Sequence, residues 1–166
     1  MNRLLQIACI MVNLCACRPT RIDQCPLANV TNTLEDPGDF YRCAEGIINQ
    51  GAGCGNDGYL LGYAAKYAER YMWEVYPTLS NEGQRFLDLN LLCLQTIFRD
   101  TVEEDWSCDR IAEFGFQSHA ACYLSSGICE LSLAERLTIL MAVDSEDLNQ
   151  PGQEEAFAEV AEGCDN

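Results

Sequence analysis

Eleven cysteines in 166 residues constrain this chain more than any other feature. Cys9, Cys15 and Cys17 fall in an apolar N-terminal stretch. Eight remain: Cys25, Cys43, Cys54, Cys93, Cys108, Cys122, Cys129 and Cys164. An even number of cysteines spread through an exported chain reads as a set of four disulfide bridges, whereas a reducing cytosol keeps thiols free. The pattern does not suit structural zinc, which wants closely paired ligands: there is no Cys-x-x-Cys pair, and His119 is the single histidine. Eight cysteines allow roughly a hundred pairings, so count and spacing leave the connectivity open.

The N-terminus gives the export signal that a bridge framework requires. Met1-Asn2-Arg3 is a short basic start, residues 4–17 are apolar, and Arg18-Pro19 ends the run. The run is too short to span a bilayer and suits the apolar core of a signal peptide, so residues 1–17 are read as a signal and no integral membrane span is expected. Two routes out of the cell stay open. Leu14-Cys15-Ala16-Cys17 resembles a bacterial lipobox, which would tether the chain through a lipid on Cys17. Asn29-Val30-Thr31 is an N-glycosylation sequon, which matters in a eukaryotic secretory route. Both routes end in an oxidising compartment.

The charge is one-sided: 26 acidic residues against ten Lys and Arg give a net charge of −16. Nucleic acids and anionic membranes are therefore unfavourable partners, since both are bound through basic side chains. A basic protein partner or a divalent cation fits the field. From Asp144 to the end there are eight acidic residues and no basic one. This tract is read as a solvated acidic face. Weak calcium binding is the alternative, without an EF-hand, because the alternating ligands and in-register Gly are missing. No cofactor is expected.

Periodicity points to an all-α domain over residues 37–166, a compact bridged bundle of five or six short helices, preceded by a polar arm at 18–36 containing Pro19 and Pro26. No stretch alternates with period two. Tyr59, Tyr63, Tyr67 and Tyr71 recur every four residues in a helix that Pro77 ends, a stripe read as core. Ser80 can cap the next helix, with Phe86, Leu89, Leu92 and Ile97 along it. Ser107 can cap a helix from Cys108 to about Ser118. Ser132-Leu-Ala-Glu135 is a capping box opening a helix through Val143. Pro151 fits the first turn of a last helix and Gly163 its end.

Catalytic chemistry has little to work with. A serine or cysteine nucleophile would need His119 as its base, and the cysteines are committed to bridges. The segment His119-Ala120-Ala121-Cys122-Tyr123 resembles the His-Asp-x-Cys-Tyr signature of secreted phospholipases A2, and Gly53-Cys54-Gly55-Asn56-Asp57-Gly58 faintly resembles their calcium loop. The metal-binding Asp of that signature is Ala120 here, so the oxyanion would lose its main stabiliser. A calcium-dependent lipid hydrolase using His119 is the remote alternative, and the chain is expected not to be an enzyme.

The cysteine grid resembles that of the stanniocalcins, secreted helical glycoprotein hormones. Cys108, thirteen residues, Cys122-Tyr123, five residues and Cys129 reproduce a spacing of that family. Cys54 followed by Asp57-Gly58, and the apolar run from Phe86 to Cys93-Leu94, match upstream segments. The resemblance covers about residues 43–164. It implies the pairs Cys25–Cys43, Cys54–Cys108, Cys93–Cys122 and Cys129–Cys164. One further internal bridge of the family has neither of its cysteines here. The family's dimer-forming cysteine lies in a tail beyond the position of Asn166, so a covalent dimer is not implied and any homodimer would be non-covalent. The resemblance implies an extracellular hormone or ligand that binds a protein receptor, linked to calcium and phosphate homeostasis.

Overall fold

The computed structural model describes residues 21–28, 35–150 and 152–165. The signal segment with Cys17, the sequon residue Asn29, and Pro151 lie outside these described residues. Six helices and no strand are found among them. They are α1 (Asp39–Glu45), α2 (residues 59–75), α3 (Asn81–Thr101), α4 (Cys108–Ser126), α5 (Leu133–Met141) and α6 (Gln153–Cys164). The expected all-α bundle is therefore the observed architecture.

Side-chain caps place three of the six helix starts. The Ser80 and Ser107 hydroxyls accept from the backbone N–H groups of Gly83 and Arg110, satisfying donors that the first turn of α3 or α4 leaves open. Ser132 and Glu135 form a complete capping box at α5. Helix α4 runs well past Ser118 to Ser126, and the Ser118 hydroxyl bonds back to the Gly115 carbonyl (2.8 Å) within it. Gly127, at φ 95°, then stops the helix in the left-handed region that glycine tolerates best. Helix α6 opens one residue after Gly152, which has φ 88°.

Helix α2 is not a uniform α-helix. Tyr59–Ala65 and Tyr71–Val75 are π-helical, and Lys66–Arg70 between them is α-helical. A four-residue spacing drifts one way around an α-helix of 3.6 residues per turn, and drifts back where the turn is wider. The mixture keeps Tyr59, Tyr63, Tyr67 and Tyr71 on one side. Tyr59 and Tyr63 stack at 5.8 Å between ring centroids, and Tyr63 meets Phe116 of α4 edge-on at 4.8 Å. The Tyr59 ring lies directly on the α4 backbone at Gly115. A Cβ there would fall 2.2–2.6 Å from three ring atoms, so only glycine fits.

Around this aromatic seam, α3 and α6 both pack on α4, and α1 packs on the first half of α2. The segment read as a polar arm takes part: Ile22 and Cys25 are buried in the core. The fully buried Gln95 of α3 accepts from the Ala28 N–H (2.7 Å) and donates to the Pro37 carbonyl (3.1 Å), tying the middle of the arm and the residue that follows it to the bundle.

Four disulfides stitch the layers: Cys25–Cys43, Cys54–Cys108, Cys93–Cys122 and Cys129–Cys164. These are the same pairs that the stanniocalcin resemblance implies. Each closes a loop of 18 to 54 residues, and restricting the unfolded chain over such loops contributes roughly 3–4 kcal/mol per bridge.

Candidate functional site

His119 projects from α4 into the aromatic seam. Its ring stacks near Phe116 (6.2 Å) and meets Tyr63 and Tyr123 edge-on at 6.1 and 5.8 Å. Nδ1 donates to the Gly115 carbonyl at 2.7 Å, because a carbonyl can only accept. Burial pushes the imidazole pKa below its ordinary value, so the ring is neutral at pH 7. The cavity beside it is only about 40 Å³, lined by Tyr41, Tyr59, Tyr63, Tyr71, Asn90 and Tyr123 among others, with no carboxylate among the described residues of its wall. That space accommodates a water, not an organic substrate. The glycine-rich segment around Gly55 is tied by Cys54–Cys108 to the start of α4. His119 lies eleven residues further along, about 16 Å up the helix axis at 1.5 Å per residue. The bridge thus holds Cys54 at the far end of α4 from His119, and the His119 ring packs among the Tyr63, Phe116 and Tyr123 rings between α2 and α4.

The C-terminal acidic tract divides in two. Asp144 and Asp147 are engaged with α2. Lys66 Nζ lies 2.6 Å from Asp144 and 2.9 Å from Asp147, Arg70 grips Asp144 through two nitrogens at 2.7 and 3.2 Å, and the Tyr67 hydroxyl donates to Asp147 at 2.6 Å. Hydrogen bonds from Arg70 and Lys66 hold the Asp144 carboxyl well below the usual carboxylate range. Those from Tyr67 and Lys66 lower Asp147. The second part, Glu154, Glu155 and Glu159 on α6, faces solvent. Among the described residues, no three His, Cys, Asp or Glu side chains gather as a metal site.

The feature that sequence reasoning missed is α5. Its apolar residues cover far more of the helix than the bundle buries. Ile139 and Val143 face inward, but Leu133, Leu137, Leu140 and Met141 are 71, 46, 38 and 80 % exposed. They follow one another at helical spacing and form a continuous ridge. Between α5 and α6 the ridge descends into a crevice of about 140 Å³, lined by Ile139, Leu140, Val143, Phe157 and Val160.

Polar ties fix this orientation at both ends of α5. Glu135 reaches back to Ser132 and also across to Ser80, whose hydroxyl and backbone N–H donate to it at 2.6 and 3.1 Å. One carboxylate therefore serves the N-termini of α3 and α5, and these hydrogen bonds lower its pKa. Arg136 donates to the carbonyls of Leu131 (3.0 Å) and Cys129 (2.7 Å). At the other end, Tyr71 donates to the Ile139 carbonyl (3.0 Å) and Arg70 to the Ala142 carbonyl (2.8 Å). Rotating α5 to bury its leucines would break these bonds.

No helix among the described residues is long and apolar enough to cross a membrane. Comparison with known proteins gives no match to a family model, a curated protein or a solved structure.

Proposed function

We propose that this chain is an extracellular, non-enzymatic ligand of the stanniocalcin-like type, which acts by binding a protein partner through the α5 face. The observation that carries the reading is the apolar ridge of Leu133, Leu137, Leu140 and Met141, held in water by bonds at both helix ends. Soluble monomers rarely leave a contiguous apolar surface of this kind without using it. The four bridges support the extracellular setting, since such a framework persists in an oxidising compartment. A rigid face also loses little entropy on docking, which favours affinity.

The test is saturable binding of the labelled, oxidised protein to cells of the source organism, competed by unlabelled protein. Native protein binds saturably. Leu137→Asp and Met141→Asp, which alter exposed side chains and leave the fold intact by circular dichroism, bind less. Absence of saturable binding by the native protein defeats the proposal. The mature N-terminus separates a released glycoprotein, with a glycan on Asn29, from a chain tethered through a lipid on Cys17.

A further inference from the structure

Resting on that reading, we infer that the α5–α6 crevice and the adjoining ridge receive a basic amphipathic helix of a partner protein. The apolar half of the requirement is set by shape. The crevice runs between two helices and its wall is almost wholly hydrocarbon: Leu140 and Val143 on one side, Phe157 and Val160 on the other. A helix laid on such a surface reaches it with residues spaced three and four apart.

The charged half is set by what surrounds the crevice. Beyond Leu140 and Phe157 the surface opens past Leu148 to Glu154 and Glu155, with no basic side chain among the described residues of its walls. From residue 137 onward the chain contains no Lys or Arg at all. Among the described residues, the one cation lining the crevice, Arg136, is held by the carbonyls of Cys129 and Leu131. An occupant therefore meets an apolar floor and an acidic flank, and Lys or Arg along one side of its helix would complement that flank.

The same field argues against a second copy as the occupant. In a two-fold interface the same patch meets itself, which would bring two sets of α6 carboxylates together on chains that each carry −16. A basic partner has no such conflict, and its approach is accelerated by the long-range field.

The probe is a labelled Leu/Lys peptide of about four helical turns with one apolar face. It is titrated into the oxidised full-length protein and followed by fluorescence anisotropy. The controls are a scrambled peptide of equal composition and a Leu/Glu peptide with the same apolar face. The expected result is saturable one-to-one binding of the Leu/Lys peptide and neither control, with amide shifts at Leu137, Leu140 and Phe157. Leu137→Asp and Met141→Asp should each weaken it about tenfold. These variants add negative charge, so purely electrostatic adhesion would tighten instead. Glu154→Gln with Glu155→Gln should reduce the salt dependence. The inference is overturned if the scrambled peptide binds equally, if the Asp variants bind as well or better, or if no saturable binding occurs. It is overturned equally if sedimentation shows a dimer that Leu137→Asp dissociates. If cell binding persists and depends on Leu137 while the basic peptide fails, the partner chemistry is wrong and the docking reading stands.

Discussion

Gly115→Ala sets two well-understood effects against each other in the middle of α4. Replacing glycine by alanine within a helix normally stabilises it by about 0.8–1 kcal/mol, through reduced freedom of the unfolded chain and better helix propensity. Here the new methyl would fall 2.2–2.6 Å from Cζ, Cε1 and Cε2 of Tyr59. The ring cannot simply swing aside. It stacks on Tyr63 at 5.8 Å, meets Phe116 edge-on at 5.2 Å and is buried. Forcing a methyl into a packed core costs typically about 1–3 kcal/mol, and more where ring and backbone must both move. Two carbons need about 3.5 Å, so α2 and α4 would separate by roughly an ångström at their crossing. The overpacking term wins, and a net loss of about 1–2 kcal/mol is expected.

Urea denaturation with the disulfides intact measures this directly. A double-mutant cycle isolates the cause. In a Tyr59→Ala background, itself less stable by about 3 kcal/mol or more from the lost ring, the same Gly115→Ala change should become stabilising by nearly the full propensity gain. Gly163→Ala is a useful contrast, since the nearest atoms there belong to the tip of the Leu124 side chain, which can rotate. If Gly115→Ala alone raises the stability, the ring does not rest on the helix and the reasoning fails.

Replacing both cysteines of the 54-residue Cys54–Cys108 loop by serine should cost about 4 kcal/mol, against about 3 for the 18-residue Cys25–Cys43 loop; denaturation midpoints in the reverse order would contradict the loop-entropy account. Hydrogen bonds from Arg70 and Lys66 depress the Asp144 carboxyl and those from Tyr67 and Lys66 depress Asp147, so their contribution is complete above the unfolded value near 3.9 and is lost as pH falls below it. The stability difference between the native protein and Asp144→Asn should accordingly shrink below about pH 4, and a difference that stays constant down to pH 2 would refute the pairing. His119 should titrate by NMR with a midpoint below 6.5; a midpoint at or above that value would mean the ring is solvated.

Much of the scaffold was legible because it is written in short-range rules. Ser80, Ser107 and the Ser132–Glu135 box announce helix starts by local chemistry alone, and the Tyr59 to Tyr71 stripe announces a buried face by its spacing. What escaped was what distant residues do for each other. Nothing around Glu135 shows that it also serves Ser80, 55 residues earlier. Gln95 looks like an ordinary helix residue until the chain at Ala28 and Pro37 closes over it. The acidic tract shows its charge in the sequence, but the sequence does not show that Lys66 and Arg70 take up Asp144 and Asp147 while the α6 glutamates stay in water.

The same limit explains why the candidate site was missed. Periodicity in 133–143 reveals an apolar helix face, and an apolar face is ordinarily a core face. Whether a neighbour covers it depends on where α6 comes to rest, and that is set by contacts far along the chain: Cys164 bonded to Cys129, and buried Gln153 donating to the Tyr63 hydroxyl at 2.8 Å. These anchors draw α6 onto α4 and leave the outer half of α5 bare. An unused apolar face is then a consequence of tertiary geometry, while the bonds from Ser80, Tyr71 and Arg70 make it a maintained one. Removing those bonds should let α5 move without melting the bundle, so Glu135→Ala would loosen the ridge and weaken partner binding at little cost to the aromatic seam.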